Sequence, residues 1–111
     1  YKKHLKLVKY LNDIGRKPVV IDSKKMLQDP QSGLRKLCDA VGIPFDEAMM
    51  SWPAGPRKED GVWARHWYHS VHQSTGFKAY KPKTGPFPEE LKELLVECQE
   101  AYKKLLTYSE K

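Results

Sequence analysis

The chain has 111 residues, enough for one domain, and its 40% hydrophobic and 31% charged residues are ordinary for a folded protein and argue against intrinsic disorder. Its 20 lysines and arginines against 14 aspartates and glutamates give a net charge of +6, which favours anionic partners such as phosphate, sulfate or nucleotides. No run of five like charges forms a basic tail for nucleic acid, and no apolar run is long enough to span a bilayer. No membrane partner is expected, and nucleic-acid binding ranks third among the alternatives, supported only by the net charge and scattered aromatic residues.

The start of the chain predicts a helix followed by a strand. Apolar residues recur at helical spacing over residues 3–14, and Gly15 suits the left-handed position that often ends a helix. Residues 17–22 (KPVVID) then carry three consecutive β-preferring side chains, which predicts a short strand buried on both faces. Such a strand needs neighbouring strands to satisfy its backbone groups, so it predicts a sheet.

A second helix has clear end signals. Asp29 and Pro30 form an N-cap and first-turn pair, and the apolar stripe that follows stops at Gly42. Residues 45–50 (FDEAMM) predict one more short turn. Two prolines, two glycines and several charges make residues 51–61 a loop.

The second half of the chain is predicted to be helical. Trp63 and Trp67 lie at helical spacing within 62–74, which predicts a helix with a bulky face. Residues 78–88 form a basic, proline-rich connector, and 89–111 carry the long apolar stripe of an amphipathic helix. The predicted fold class is therefore α/β: mostly helical, with one core strand.

The two cysteines, Cys38 and Cys98, each fall on the apolar stripe of a predicted helix. A free thiol in that position behaves as a small hydrophobic side chain. We therefore expect reduced cysteines and a cytoplasmic location. Because the chain begins with Tyr1 and not Met, we also expect it to be an excised or processed piece.

Three histidines, His66, His69 and His72, are spaced three residues apart. On one helix they would fan over roughly 120° and would not converge on one ion, so no metal site is predicted. A catalytic histidine is the other possibility, but the sequence specifies no nucleophile or orienting carboxylate beside them.

The loop that precedes these histidines has residues suited to an oxyanion. Arg57 offers a planar fork and Lys58 a point charge, while Gly61 lets the backbone approach a ligand closely. The alternative is a charged surface turn in which Glu59 and Asp60 partly cancel the charge.

Tryptophans flank this loop on both sides. Trp52, Trp63 and Trp67 could stack on a nucleotide base, as aromatic residues beside basic ones do. Packing into a core is the alternative use of tryptophans at helical spacing.

The segment PVVIDSKKMLQDPQSGLRKLCDAVGIPF resembles the strand, short helix, Asp-Pro cap and helix of P-loop sulfotransferases. The matching positions are Asp22, Asp29, Pro30, Leu34, Leu37, Gly42, Ile43 and Pro44. The segment SWPAGPRKEDGVWARHWYHSVHQSTGF is similar to a sulfotransferase-like group of bacteria and plants, in some plants part of longer proteins. The resemblance as a whole covers about Leu5 to Phe77.

The loop extends this resemblance. Cytosolic sulfotransferases hold the 3′-phosphate of 3′-phosphoadenosine 5′-phosphosulfate with an R-K-G-x-x-G-x-W loop. Arg57, Lys58, Gly61 and Trp63 match it here, although the loop is one position shorter and lacks the first glycine. The resemblance implies that these four residues bind the nucleotide, with Arg65 and His66 as secondary candidates.

The resemblance also implies what this chain would lack. No G-x-x-x-x-G-K-[ST] motif occurs, so the P-loop and the catalytic residue would precede Tyr1. Residues 1–77 would be the C-terminal part of the domain, with the lone strand in a parallel sheet, 78–88 a connector and 89–111 a helix packed on it. We then expect nucleotide 3′-phosphate binding and a lid over the acceptor pocket, with no catalysis by this chain alone. Its partner would be the missing half or a second copy. The alternative is a helical protein-interaction module.

Overall fold

The computed structural model describes residues 1–109, and the chain divides into two compact units, Tyr1–Ser23 with Lys81–Lys111, and Lys24–Tyr80. The described residues form six α-helices and two 3₁₀ turns, at Glu47–Met50 and Glu89–Leu91. The helices are α1 (Lys2–Asp13), α2 (Ser23–Gln28), α3 (Pro30–Val41), α4 (Ala64–Trp67), α5 (His69–His72) and α6 (Lys92–Ser109).

The first unit is a pair of packed helices, because α1 lies against α6. Val8 of α1 and Ala101 and Leu105 of α6 are buried, which gives this unit a small apolar core. At the surface, Lys2 forms an ion pair of 2.7 Å with Glu97. Both helices were predicted from the spacing of their apolar residues, and both are present. Of the final helix predicted at 89–111, residues 89–91 form a 3₁₀ turn, and 110 and 111 lie outside the described residues.

The predicted α/β class and its parallel sheet are wrong, because residues 1–109 contain no strand and no sheet. Residues 17–22 take no regular secondary structure. Together with α1 and α6 they line a cavity of about 360 Å³. Val20 is half-buried there, while Val19 and Ile21 are 42% and 44% exposed. A run of β-branched residues fits any half-buried apolar surface, and here that surface is supplied by helices and not by strands.

The second unit begins with two short helices in close contact. The Asp29 side chain accepts a hydrogen bond of 3.1 Å from the Ser32 amide at the start of α3, and Gly42 ends α3 with φ 74°. Both predicted caps are therefore confirmed. A Cβ added at Gly33 would lie 2.5 Å from the Met26 sulfur, so the glycine allows α2 and α3 to approach closely.

The 3₁₀ turn that follows is held on α3. Glu47 accepts a hydrogen bond of 2.9 Å from Arg35, whose guanidinium lies 4.1 Å from the centre of the Phe45 ring. Beneath these groups the Cys38 thiol is 2% exposed and lies 3.9 Å from the Met49 sulfur. Cys38 and Cys98 are both free cysteines.

The predicted helix at 62–74 is interrupted. It forms two single turns, α4 and α5, separated by Tyr68, whose φ of −97° and ψ of 11° lie outside the helical region. Within the part of the chain that is described, no helix combines the length and the apolarity needed to cross a bilayer. The boundaries predicted for a larger domain, at 77 and 88, remain a prediction.

Candidate functional site

The residues Arg57 to Asp60 form a tight turn that places two charged side chains at its tip. The Asp60 amide donates to the Arg57 carbonyl at 3.2 Å, and the Arg57 amide donates to Asp60 Oδ2 at 2.8 Å. Lys58 and Glu59, which lie between these two residues, are exposed. The turn is closed by its own backbone and by the Asp60 carboxylate, and not by the basic side chains.

This turn, which we call the basic turn (residues 57–60), is tied to α5 through His72. The His72 Nε2 atom lies 2.8 Å from Asp60 Oδ2, and both side chains are mostly buried, at 23% and 19% exposed. An ionised carboxylate only accepts hydrogen bonds, so the imidazole donates through Nε2. The His72 carbonyl also accepts a hydrogen bond of 2.7 Å from the Gly55 amide.

The loop is fixed at its start by Trp52. Its amide donates to the Thr75 carbonyl at 3.0 Å, and its indole nitrogen donates to the Ser74 hydroxyl at 2.9 Å. The indole ring also packs edge-on against Phe77, with 5.5 Å between ring centres. The start of the loop is therefore held by the residues that follow α5, whereas Gly55 and Asp60 contact His72 within α5.

The surroundings of Asp60 favour its charged form. The hydrogen bond from the Arg57 amide, and then that from His72, lower the pKa of this carboxyl group from its ordinary value. A carboxyl group whose pKa is lower in the folded than in the unfolded chain stabilises the fold above the unfolded pKa, about 3.9 for aspartate. That contribution is lost as the pH falls through the lowered folded pKa.

Asp60→Asn should therefore change how the free energy of unfolding depends on pH. We expect the variant to be less stable than the parent at pH 7, and the difference to shrink as the pH falls below about 4, where Asp60 of the unfolded parent becomes protonated, and on through the lowered pKa of the folded parent. Urea unfolding at a series of pH values measures this. Asp39→Asn is the matched control, because Asp39 is exposed on α3. Asp46→Asn would not serve as a control, because Asp46 caps a turn. An unchanging difference for Asp60→Asn across the series would contradict the expectation.

The two basic side chains of the turn are left without a strong partner. The Arg57 side chain donates one long hydrogen bond of 3.4 Å, to the Pro53 carbonyl. Lys58 makes no hydrogen bond or ion pair with any residue of 1–109, and Glu59 likewise makes none. Among residues 1–109, Asp60 forms its ion pair with His72 and none with the side chain of Arg57 or Lys58, although the charge of Arg57 is one of the causes that lower the Asp60 pKa.

The other predicted site residues follow directly in the chain. Gly61 is exposed, and a Cβ added there would meet nothing within 4 Å. Its carbonyl accepts from the Ala64 amide at 3.0 Å, which closes the turn before α4. Arg65 on α4 is exposed and donates to His66 Nε2 at 3.0 Å. Within the described chain, no hydrogen bond or ring contact joins Arg57 or Lys58 to Trp63 or Arg65.

The tryptophans do not share one environment. Trp63 and Trp67 are 67% and 73% exposed, so the interpretation of these two as core residues is wrong. Trp52 is half-buried and belongs to the packing of the loop. Exposed indole faces remain available for a ligand or a partner.

The histidines have separate neighbours. His66 contacts Arg65 and lies 6.3 Å from Trp63 between ring centres, whereas His72 binds Asp60. The pairing of His72 with Asp60 was missed in the sequence because the two residues are twelve apart and follow no helical period. The carboxylate that the sequence could not specify beside a histidine is therefore present.

Comparison with known proteins fixes the family. Residues 10–107 match the family model described as a sulfotransferase domain, which covers most of the chain and includes the basic turn. The chain belongs to the sulfotransferase domain family. No solved structure matches this sulfotransferase-family chain.

Two curated relatives come from Arabidopsis thaliana. Branched-chain-amino-acid aminotransferase-like protein 1 is 50% identical over 78 residues, 70% of this chain and 14% of the relative. Branched-chain-amino-acid aminotransferase-like protein 2 is 41% identical over 92 residues, 83% of this chain and 16% of the relative. The sulfotransferase-family chain thus spans about a sixth or less of the length of each of these proteins.

Proposed function

We propose that the basic turn binds the 3′-phosphate of an adenine nucleotide, 3′-phosphoadenosine 5′-phosphosulfate, within a sulfotransferase domain. The observation that carries this proposal is the orientation of Asp60. Its carboxylate is engaged by His72 and by the Arg57 amide, which leaves the Arg57 and Lys58 side chains exposed and positively charged. Membership of the sulfotransferase domain family supports a sulfated nucleotide as the anion.

The residue types suit a phosphate group. The Arg57 guanidinium presents a planar fork that can bind two phosphate oxygens, and the Lys58 ammonium adds a mobile point charge. Gly61 faces open space, so its backbone can approach the ligand without hindrance from a side chain. Trp63 would stack on the base and Arg65 would add a further positive charge, since both are exposed just after the turn.

The chemical role of these groups is binding and charge neutralisation. When bound, the nucleotide supplies the sulfuryl group, and transfer leaves a phosphate whose charge must be stabilised. The basic turn holds the far end of that nucleotide, and the segment around α4 would form a lid over the acceptor pocket. We propose that this chain alone is not catalytic and depends on other parts of a longer protein for the acceptor base. The free cysteines support a cytoplasmic setting.

Calorimetric titration with adenosine 3′,5′-bisphosphate tests the proposal. The chain should bind this nucleotide saturably, and the Arg57→Ala, Lys58→Ala variant should lose at least about tenfold in affinity, since hydrogen bonds to charged groups contribute roughly 1.5–3 kcal/mol each. Adenosine 5′-monophosphate, which lacks the 3′-phosphate, should bind equally weakly to both proteins.

Matched controls separate the site from general charge. Lys81→Ala, Lys83→Ala removes the same charge from the exposed connector and should leave the affinity within about twofold at moderate salt, because exposed charges that do not contact the ligand are largely screened. Gly61→Ala should keep the fold but weaken binding. Equal losses in the turn and connector variants would show general electrostatic attraction and contradict a specific site.

A second candidate function is a helical protein-interaction module. The observation that favours it is the exposure of Val62, Trp63 and Trp67, at 79%, 67% and 73%. If this surface mediates self-association, the mass measured by sedimentation should rise with concentration, and Trp67→Ala should abolish that rise. A monomer at all concentrations that binds the nucleotide would favour the first function.

A further inference from the structure

We infer that His72 is a positioning residue for anion binding, because it engages the Asp60 carboxylate and so keeps it from pairing with the Arg57 guanidinium or the Lys58 ammonium. This inference rests on the proposed function and assigns a role to a pair of residues that the matching loop motif does not contain. His72 would keep the two basic side chains free to bind an anion, and it would not itself contact the ligand.

Asp60 is the natural competitor of an anionic ligand at this turn. It lies two residues from Lys58 and three from Arg57, and it closes the same turn. A carboxylate that reached the Arg57 guanidinium would form the same forked pair that a phosphate forms. Binding of an external anion would then have to break that internal pair first.

His72 prevents this competition by donating a hydrogen bond to the Asp60 carboxylate. Its Nε2 atom lies 2.8 Å from Asp60 Oδ2, the oxygen that also accepts from the Arg57 amide. With both side chains mostly buried, this contact is shielded from water more than a surface pair would be. The carboxylate therefore faces α5 while the cations face solvent.

His72 is itself well placed for this task. Its carbonyl accepts from the Gly55 amide at 2.7 Å, and its ring packs edge-on against Tyr68 with 5.9 Å between ring centres. The backbone contact fixes the distance between α5 and the loop independently of the imidazole. Replacing the side chain alone therefore tests the carboxylate contact without removing the backbone one.

The first test is a double-mutant cycle on affinity for adenosine 3′,5′-bisphosphate, with the proteins His72→Ala, Asp60→Asn and the combination. His72→Ala should weaken binding about tenfold, but by less than about twofold in the Asp60→Asn background, where no charged competitor remains. His72→Gln, whose amide can donate, should restore much of the loss. An equal loss in both backgrounds would show a merely structural role and overturn the inference.

A second test does not depend on nucleotide binding. Amide hydrogen exchange by NMR in His72→Ala should quicken at Arg57, whose acceptor is the Asp60 carboxylate, by about tenfold, and should stay unchanged at Gly55, whose acceptor is the His72 backbone. Equal acceleration at both amides, or none at Arg57, would overturn the inference. If the parent chain binds no bisphosphate, the proposed function fails, and the exchange result alone decides whether His72 positions Asp60.

Discussion

Trp52→Ala should lower the free energy of unfolding by about 2–3 kcal/mol, and it should loosen the loop that carries the basic turn. The indole packs against Phe77 and donates to Ser74, so its removal takes away both a packed ring and a hydrogen bond. This loss of unfolding free energy is smaller than the loss expected on replacing a fully buried tryptophan, because Trp52 is only half-buried.

Urea unfolding followed by far-ultraviolet circular dichroism measures this loss. Trp67→Ala is the matched control, since the same atoms are removed from a side chain that is 73% exposed. We expect the control to change stability by less than about 0.5 kcal/mol. Equal effects of the two substitutions would mean that the loop is not held as described.

Leu105→Ala should destabilise the pair of helices α1 and α6 by about 2–4 kcal/mol. Leu105 is 7% exposed and is one of the few buried side chains of this unit. Alanine keeps the helical propensity of α6, so the loss would come from packing and not from the helix itself.

The same helix offers a control for this prediction. Leu94 is 55% exposed, and Leu94→Ala should cost less than about 1 kcal/mol. The comparison is made by thermal unfolding of the parent and both variants under one set of conditions. A cost at Leu94 as large as that at Leu105 would show that the exposed face of α6 is covered in solution.

Local signals in the sequence predicted the helices well. Asp29 and Gly42 mark the two ends of α3 because a carboxylate satisfies amides at a helix start and a glycine adopts positive φ at its end. These effects operate within a few residues of chain, so they can be read without knowing the fold. The apolar stripes of α1 and α6 were equally clear.

The strand prediction failed because it required information from elsewhere in the fold. The run Val19 to Ile21 shows only that these residues fit an apolar surface, and helices or strands can supply one. The break at Tyr68 was missed for a related reason. Trp63 and Trp67 have helical spacing, but both are exposed, so no packed face holds α4 and α5 as one helix.

The candidate site was predicted in part. Arg57 and Lys58 were identified by residue type and by the family resemblance, and the structure shows them exposed on one turn. The alternative, a surface turn in which Glu59 and Asp60 partly cancel the charge, did not anticipate that Asp60 contacts His72. That pairing joins the turn to α5 and depends on tertiary structure.

The unequal exposure of the three tryptophans gives the chain a distinctive optical behaviour. Trp63 and Trp67 are largely exposed to water, while Trp52 is half-buried and packs edge-on against Phe77. Fluorescence from the native chain will therefore be red-shifted and readily quenched by acrylamide. Unfolding will shift the emission wavelength mainly through Trp52. A ligand that stacks on Trp63 would instead lower the fluorescence intensity while the chain stays folded. Ligand binding and unfolding would therefore produce different spectral changes.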